Sequence, residues 1–261
     1  MTTKARWLGV LVLAWAAAAP AQIVLEPELG DRLINLPTHL TLGFDTLQVV
    51  FTHRFSQTVS DGGSGNLYGL DSAADIGLGL QIGLATNLEA EVYRSTFFKE
   101  YETAFKWTMV RQGSGFPFGL ALRLGADYRS ATGVTDRWAG IAQAVIAWRA
   151  GQWLDLFVVP MFASDTPTLR NASNVGVGVS LHLPRAWDLA AEVIPANHEV
   201  KGAAAAWSVG FNKRIPGHAF LIYLGNSRAT TTDLIIGSDI PGGFKSGDVR
   251  LGFNLIRRFP E

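Results

Sequence analysis

Five histidines, His39, His53, His182, His198 and His218, are the side chains best suited to acid–base or metal chemistry. None stands at a paired-histidine spacing with a carboxylate nearby, so the sequence points to no metal site. Ser227 follows Asn226 and His198 follows Asn197, which raises acyl transfer by a serine–histidine pair. A catalytic serine needs its base within hydrogen-bond reach and a third group to orient that base. These two residues fall in different inter-element links, so no catalytic residue is assigned and an acyl-modifying rim enzyme ranks as a remote alternative. The series Gly77-x-Gly79-x-x-x-Gly83 has the wrong spacing for a dinucleotide fingerprint, and no helical pattern follows it. Asp61-Gly62-Gly63-Ser64-Gly65-Asn66 offers oxygens to a cation but too few acidic ligands for a calcium loop. No cofactor is expected.

The composition narrows the setting. Of 261 residues, 48% are apolar and 17% charged, with 28 glycines, no cysteine and a formal net charge of zero. A typical soluble domain carries about 25% charged residues. Without a basic excess there is no electrostatic footprint for nucleic acid, and without cysteine there are no disulfides or thiolate sites. Met1 to Ala21 reads as a secretory signal peptide: Lys4 and Arg6 form the positive region, Trp7 to Ala18 the apolar core, and Ala19-Pro20-Ala21 the cleavage site. Its removal leaves 20 basic against 22 acidic residues, and export argues against chemistry that needs cytoplasmic nucleotides. After the leader, no unbroken apolar run approaches the ~20 residues of a membrane helix.

The apolar signal has period two. Ile76, Leu78, Leu80, Ile82 and Leu84 alternate with Asp75, Gly77, Gly79, Gln81 and Gly83, and similar patterns recur over 118–126 and 175–183. Such segments are strands with one greasy face and one polar or empty face. About twelve are expected, near 45–56, 74–84, 87–97, 100–110, 118–128, 138–149, 152–162, 174–183, 187–195, 205–214, 217–226 and 247–259. A length of ~10 residues suits a tilted crossing of a bilayer. Long links (57–73, 129–137, 163–173, 196–204, 227–246) alternate with tight ones, as in an outer-membrane barrel with its termini on the periplasmic side. Trp107, Trp148, Trp153 and Trp187 fall near periplasmic strand ends, as an interfacial girdle requires. The expected organisation is a signal peptide over 1–21, a periplasmic or in-barrel segment over 22–44, and an antiparallel up-and-down transmembrane β-barrel over 45–259.

The same alternation assigns an inner face. It directs Arg54, Asp75, Glu89, Glu91, Glu102, Lys106, Arg123, Asp127, Glu192 and Arg250 into the lumen. Ionised groups there need partners or water, so they either bridge and brace a closed barrel or line a narrow solvated path. His53, at the outer end of the first strand beside Arg54, is the candidate for a pore mouth. Alternate inward glycines relieve crowding.

Several phrases together resemble one family. They are Asn35-Leu36-Pro37-Thr38, Thr52-His53-Arg54-Phe55, Gly69-Leu70-Asp71-Ser72-Ala73, Arg94-Ser95, Arg111-Gln112, Gly217-His218-Ala219-Phe220, Asn226-Ser227 and Gly247-Asp248-Val249-Arg250-Leu251-Gly252-Phe253-Asn254. In order and spacing they are similar to the DUF5777 family of bacterial outer-membrane β-barrel proteins, a resemblance that implies barrel topology and a bacterial outer-membrane location. The closing alternation of Val249, Leu251, Phe253 and Leu255 toward Phe259 looks like the signal read by barrel-assembly machinery, although Arg257 interrupts it. The leading functional expectation is a narrow channel or porin-like protein for a small solute. The alternative is a non-conducting structural or partner-docking barrel, using the external loops 57–73 and 227–246 and favoured by a lumen sealed by salt bridges or by residues 23–40. Outer-membrane lipid is the expected surrounding, and the greasy outer faces would serve lipid or a second protomer equally.

Overall fold

Alternation becomes a wall when each strand finds a neighbour on both sides. In a computed structural model, which describes residues 32–135, 137–167, 169–200, 203–237, 245 and 247–259, the strands are β1 (Leu47–Phe55), β2 (Ala74–Ala85), β3 (Leu88–Ser95), β4 (Glu100–Val110), β5 (Gly119–Arg129) and β6 (Trp138–Ala150). They continue with β7 (Leu154–Ser164), β8 (Asn171–Leu183), β9 (Trp187–Ile194), β10 (Ala206–Ile215), β11 (His218–Gly225) and β12 (Arg250–Phe259). Sequential neighbours pair antiparallel, and β1 closes on β12 with Leu47 opposite Phe259 and Arg54 opposite Gly252. Closure removes the sheet edges, which is what allows a sheet to cross hydrocarbon. Among the described residues no helix is long and apolar enough to cross a membrane. The expected leader, 1–21, lies outside the described residues.

The outer face carries the greasy half of each alternation: Ile76, Leu78, Leu80, Ile82 and Leu84 of β2 are all exposed, while Asp75 and Gln81 are buried. Trp107, Trp153 and Trp187 are exposed near one rim and Trp138 near the other.

The inner wall has two unlike halves. On β2–β5 it carries Gln81, Glu89, Glu91, Glu102, Lys106, Arg123 and Asp127, all buried. On β6 and β7 it is mainly apolar, with Ile141, Val145, Phe157, Val159 and Met161 in one cluster. The stretch Leu156-Phe157-Val158-Val159 of β7 is apolar on both faces, as strands buried on both sides are.

Two segments fill the lumen between these halves. Residues 32–44 enter from the end where the short turns lie, with Ile34, Leu36 and Leu42 each 1% exposed. The last link, which joins β11 to β12, turns inward from the other end over 226–237 through a short helix α1 (Thr232–Gly237), and its residues 229–236 are buried. The sequence suggests a free external docking loop over 227–246; in the structure Ser227 to Ile236 lie at least partly buried. The reason is the run Leu234-Ile235-Ile236, which packs on the apolar half of the wall, as an exposed apolar run would not.

Candidate functional site in the barrel lumen

The charged half-wall binds both lumen segments through ion pairs. Arg123 on β5 donates to Glu102 on β4 at 2.6 Å, to Glu91 on β3 at 2.9 Å, and to Gln143 on β6 at 2.9 Å. The nitrogen that meets Gln143 also reaches the Thr232 hydroxyl of α1 at 3.1 Å. Arg32 of the tail pairs with Glu91 and lies 3.6 Å from Glu102. Lys106 pairs with Glu89 at 2.9 Å, and the second oxygen of Glu89 accepts the Leu42 backbone N–H at 2.7 Å. Such groups tolerate burial because each carboxylate meets a cation or a backbone donor.

The tail is held most tightly by Glu192 of β9. Its carboxylate accepts the successive backbone N–H groups of Ile34 at 3.3 Å, Asn35 at 3.0 Å and Leu36 at 3.0 Å, and the Asn35 side-chain amide at 2.6 Å. Consecutive N–H groups converging on one anion form a nest. The Asn35 side-chain carbonyl oxygen in turn accepts from Arg54 at 3.0 Å, and Arg54 also donates to Asn254 at 2.7 Å and lies over the Tyr223 ring. Inward glycines make the seats: a Cβ on Gly176 would stand 2.6 Å from a Leu36 methyl, and one on Gly119 would collide with the His39 ring.

His39 sits at the base of the tail, and Thr108 donates to its backbone oxygen at 2.7 Å. Burial pushes its imidazole down to about 4; Asp155 opposes the shift, while Arg149, Lys106 and Arg111 reinforce it. Undocked, the ring would titrate at its usual 6.5. The undocked tail therefore binds a proton first, and docking weakens as pH falls from about 6.5 to 4, then changes no further from this residue. Limited proteolysis of the tail should show protection lost over that window in the wild type, and a smaller loss in His39→Gln. Equal losses in both proteins would show that His39 carries none of the dependence.

The inward link is latched beside the tail. Asp233 of α1 pairs with Arg129 of β5, and its backbone N–H donates to Asp127 at 3.2 Å. Thr231 donates to Glu100, and the Thr232 N–H donates to Glu102 at 2.6 Å. At the outer rim Asp75 pairs with Arg228 at 2.6 Å. Arg250 ties the rim together, donating to the Ser56 oxygen at 3.1 Å and to the Asp248 carboxylate at 3.1 Å. Tail and link touch where Arg32 donates to the Thr230 oxygen at 3.5 Å.

A second ionic chain runs around the periplasmic end. The His182 ring meets Asp188 at 2.8 Å and Asp155 at 3.0 Å; Arg149 pairs with Asp155 at 2.5 Å and Arg214 with Asp188 at 2.8 Å. These five residues stand one on each of the strands β6–β10.

His53 is placed differently from the sequence expectation. It is not at a pore mouth: its ring stacks on Phe253 at 4.8 Å, beside Phe55, on the outer surface of the β1–β12 seam. Its neighbour Arg54 points inward, and strand alternation turns His53 out. Ser227 and His198 do not form a pair; the Ser227 oxygen accepts the Ala229 N–H, and His198 is exposed on the β9–β10 link. Sequence reasoning missed Arg32, Glu100, Arg129 and Asp233 as lumen charges. Glu100 and Arg129 carry the correct parity but stand at strand ends, and Arg32 and Asp233 belong to segments without periodicity.

A family model described as a membrane bound beta barrel domain matches residues 29–259. The chain belongs to the DUF5777 family. A comparison with curated proteins gave no match. Among solved structures, the NanC porin aligns with a TM-score of 0.53 at 9% identity, over 80% of this chain and 97% of that one. Outer membrane phospholipase A from Escherichia coli aligns at 0.48 and 11% identity, over 89% of this chain and 98% of that one. An outer membrane channel from Pseudomonas putida F1 aligns at 0.49 and 12% identity, over 91% of this chain and all of that one. The likeness to the porin is one of fold: this DUF5777 chain is a closed, twelve-stranded antiparallel membrane β-barrel.

Proposed function

We propose that this barrel is a narrow solute channel of the bacterial outer membrane, closed at rest by two segments of its own chain. The observation that carries the reading is where the charged wall finds its partners: Arg32 of the tail and Asp233 of the last link pair with strand residues. Withdrawing those segments leaves a wall of carboxylates and guanidinium groups that water can solvate, which an apolar packed core would not. In planar bilayers the wild type is expected to conduct rarely. A variant lacking both residues 32–42 and residues 228–247 is expected to conduct at least about tenfold more, the population shift that follows from losing ~1.4 kcal/mol of closure. A variant that inserts and folds yet stays silent would sink the channel reading. The second reading, a non-conducting barrel, rests on the apolar half-wall against which Leu36 and Leu234 to Ile236 pack, and that silent variant is the result it expects.

A further inference from the structure

The end of β4 beside the tail leads into a feature that opens on the outer surface of the barrel. A surface cavity of about 260 Å3 lies there, with Asn87 from the β2–β3 turn, Met109 from β4, and Arg111, Ser114 and Phe116 from the β4–β5 link among its walls. The link is fixed in place: Gln112 donates to the Arg149 oxygen at 2.9 Å and accepts the Arg149 N–H at 2.6 Å, and the Gly113 N–H donates to the Phe116 oxygen at 3.0 Å. The cavity is therefore preformed on a rigid support.

Its depth in the membrane follows from its neighbours. Met109 continues the outward row of Phe105 and Trp107, and Trp107, Met109, Phe116 and Phe118 are all exposed. Amphipathic rings mark the interface between hydrocarbon and headgroups. Arg111 stands one step beyond that interface, donating one terminal nitrogen to the Thr86 oxygen at 2.8 Å. A guanidinium has several further N–H donors and a planar fork that matches phosphate.

We propose that this cavity seats one phospholipid of the periplasmic leaflet. The phosphodiester lies on Arg111, Asn87 offers its amide to headgroup oxygens, and an acyl chain runs along Met109 and Phe116; the Ser114 hydroxyl is spent on the Arg111 backbone oxygen and holds the link in shape. A lipid fits better than a free anion because the wall pairs one cation with apolar side chains open to hydrocarbon. The volume suits a headgroup and glycerol, leaving the chains in the bilayer.

Native mass spectrometry of the full purified barrel with phosphatidylglycerol tests the site. One retained lipid per barrel is expected, held about tenfold more weakly by Arg111→Ala, the loss of a charge-assisted hydrogen bond. Arg111→Lys, which keeps charge but loses the fork, should fall between the two. Phe116→Ser should weaken the diacyl lipid without changing binding of the deacylated headgroup. Excess inorganic phosphate should not displace the lipid. Wild-type retention by Arg111→Ala would overturn the proposal, and so would full displacement by phosphate, which would mark a bare anion site.

Discussion

Arg123→Met is expected to lower the stability of the folded barrel by about 3–5 kcal/mol, the range for removing one partner from a buried charge network. Arg123 is 4% exposed and is shared by Glu91 and Glu102, so its loss strands two carboxylates. Arg32 can compensate Glu91 but reaches Glu102 only at 3.6 Å. An exposed pair would be worth ~1 kcal/mol or less, so the two cases are well separated. Denaturant unfolding of vesicle-embedded barrel, followed by tryptophan fluorescence, gives the number. Adding Glu102→Gln to Arg123→Met should recover part of the loss, because it removes a charge left without its cation. A loss below ~1 kcal/mol for the single variant would show that Arg32 takes over the whole network.

The second large effect falls on the tail and leaves the wall alone. Glu192→Leu removes the acceptor of three backbone N–H groups and one amide. Hydrogen bonds to charged groups contribute about 1.5–3 kcal/mol each, and losing two of them in effect corresponds to at least a hundredfold shift toward the undocked tail. The protein contains no cysteine, so a single Leu36→Cys reports the change cleanly. Maleimide labelling of that cysteine should be slow while Glu192 is present. It should be at least about a hundredfold faster once Glu192→Leu is added. The unfolding midpoint of the wall should move little, since β9 keeps its pairing with β8 and β10. Equal labelling rates would mean that Ile34 and Leu36, not Glu192, hold the tail.

The fold was legible because its determinant is local. Period two sets the strands, and link length sets which rim each turn occupies; β4 spans Glu100–Val110, as the alternation over 100–110 predicts. The two segments that fill the lumen were harder to read. Leu234-Ile235-Ile236 is an apolar run inside a link, a local signal at odds with an external placement of 227–246. The pairing of Asp233 with Arg129 joins residues 104 apart, and a partner at that separation follows from the inward fold of the last link, not from any window of sequence. His53 shows a different failure: its position near a strand end suggested a mouth, whereas the parity of Arg54 already fixed its side. The apolar part of the wall was hidden where β6 and β7 are greasy on both faces, so alternation cannot say which face is which.

Glu102 accepts the Thr232 N–H of the inward link and also lies 3.6 Å from Arg32 of the tail, while Arg32 donates to the Thr230 oxygen. One segment precedes β1 and enters at the end with the short turns; the other joins β11 to β12 and enters at the opposite end. Their docking equilibria therefore share atoms, and shared atoms make two equilibria one linked system. The factor by which docking of one segment strengthens docking of the other through these contacts is the same in both directions. The two lumen segments are thus braced against each other as well as against the wall.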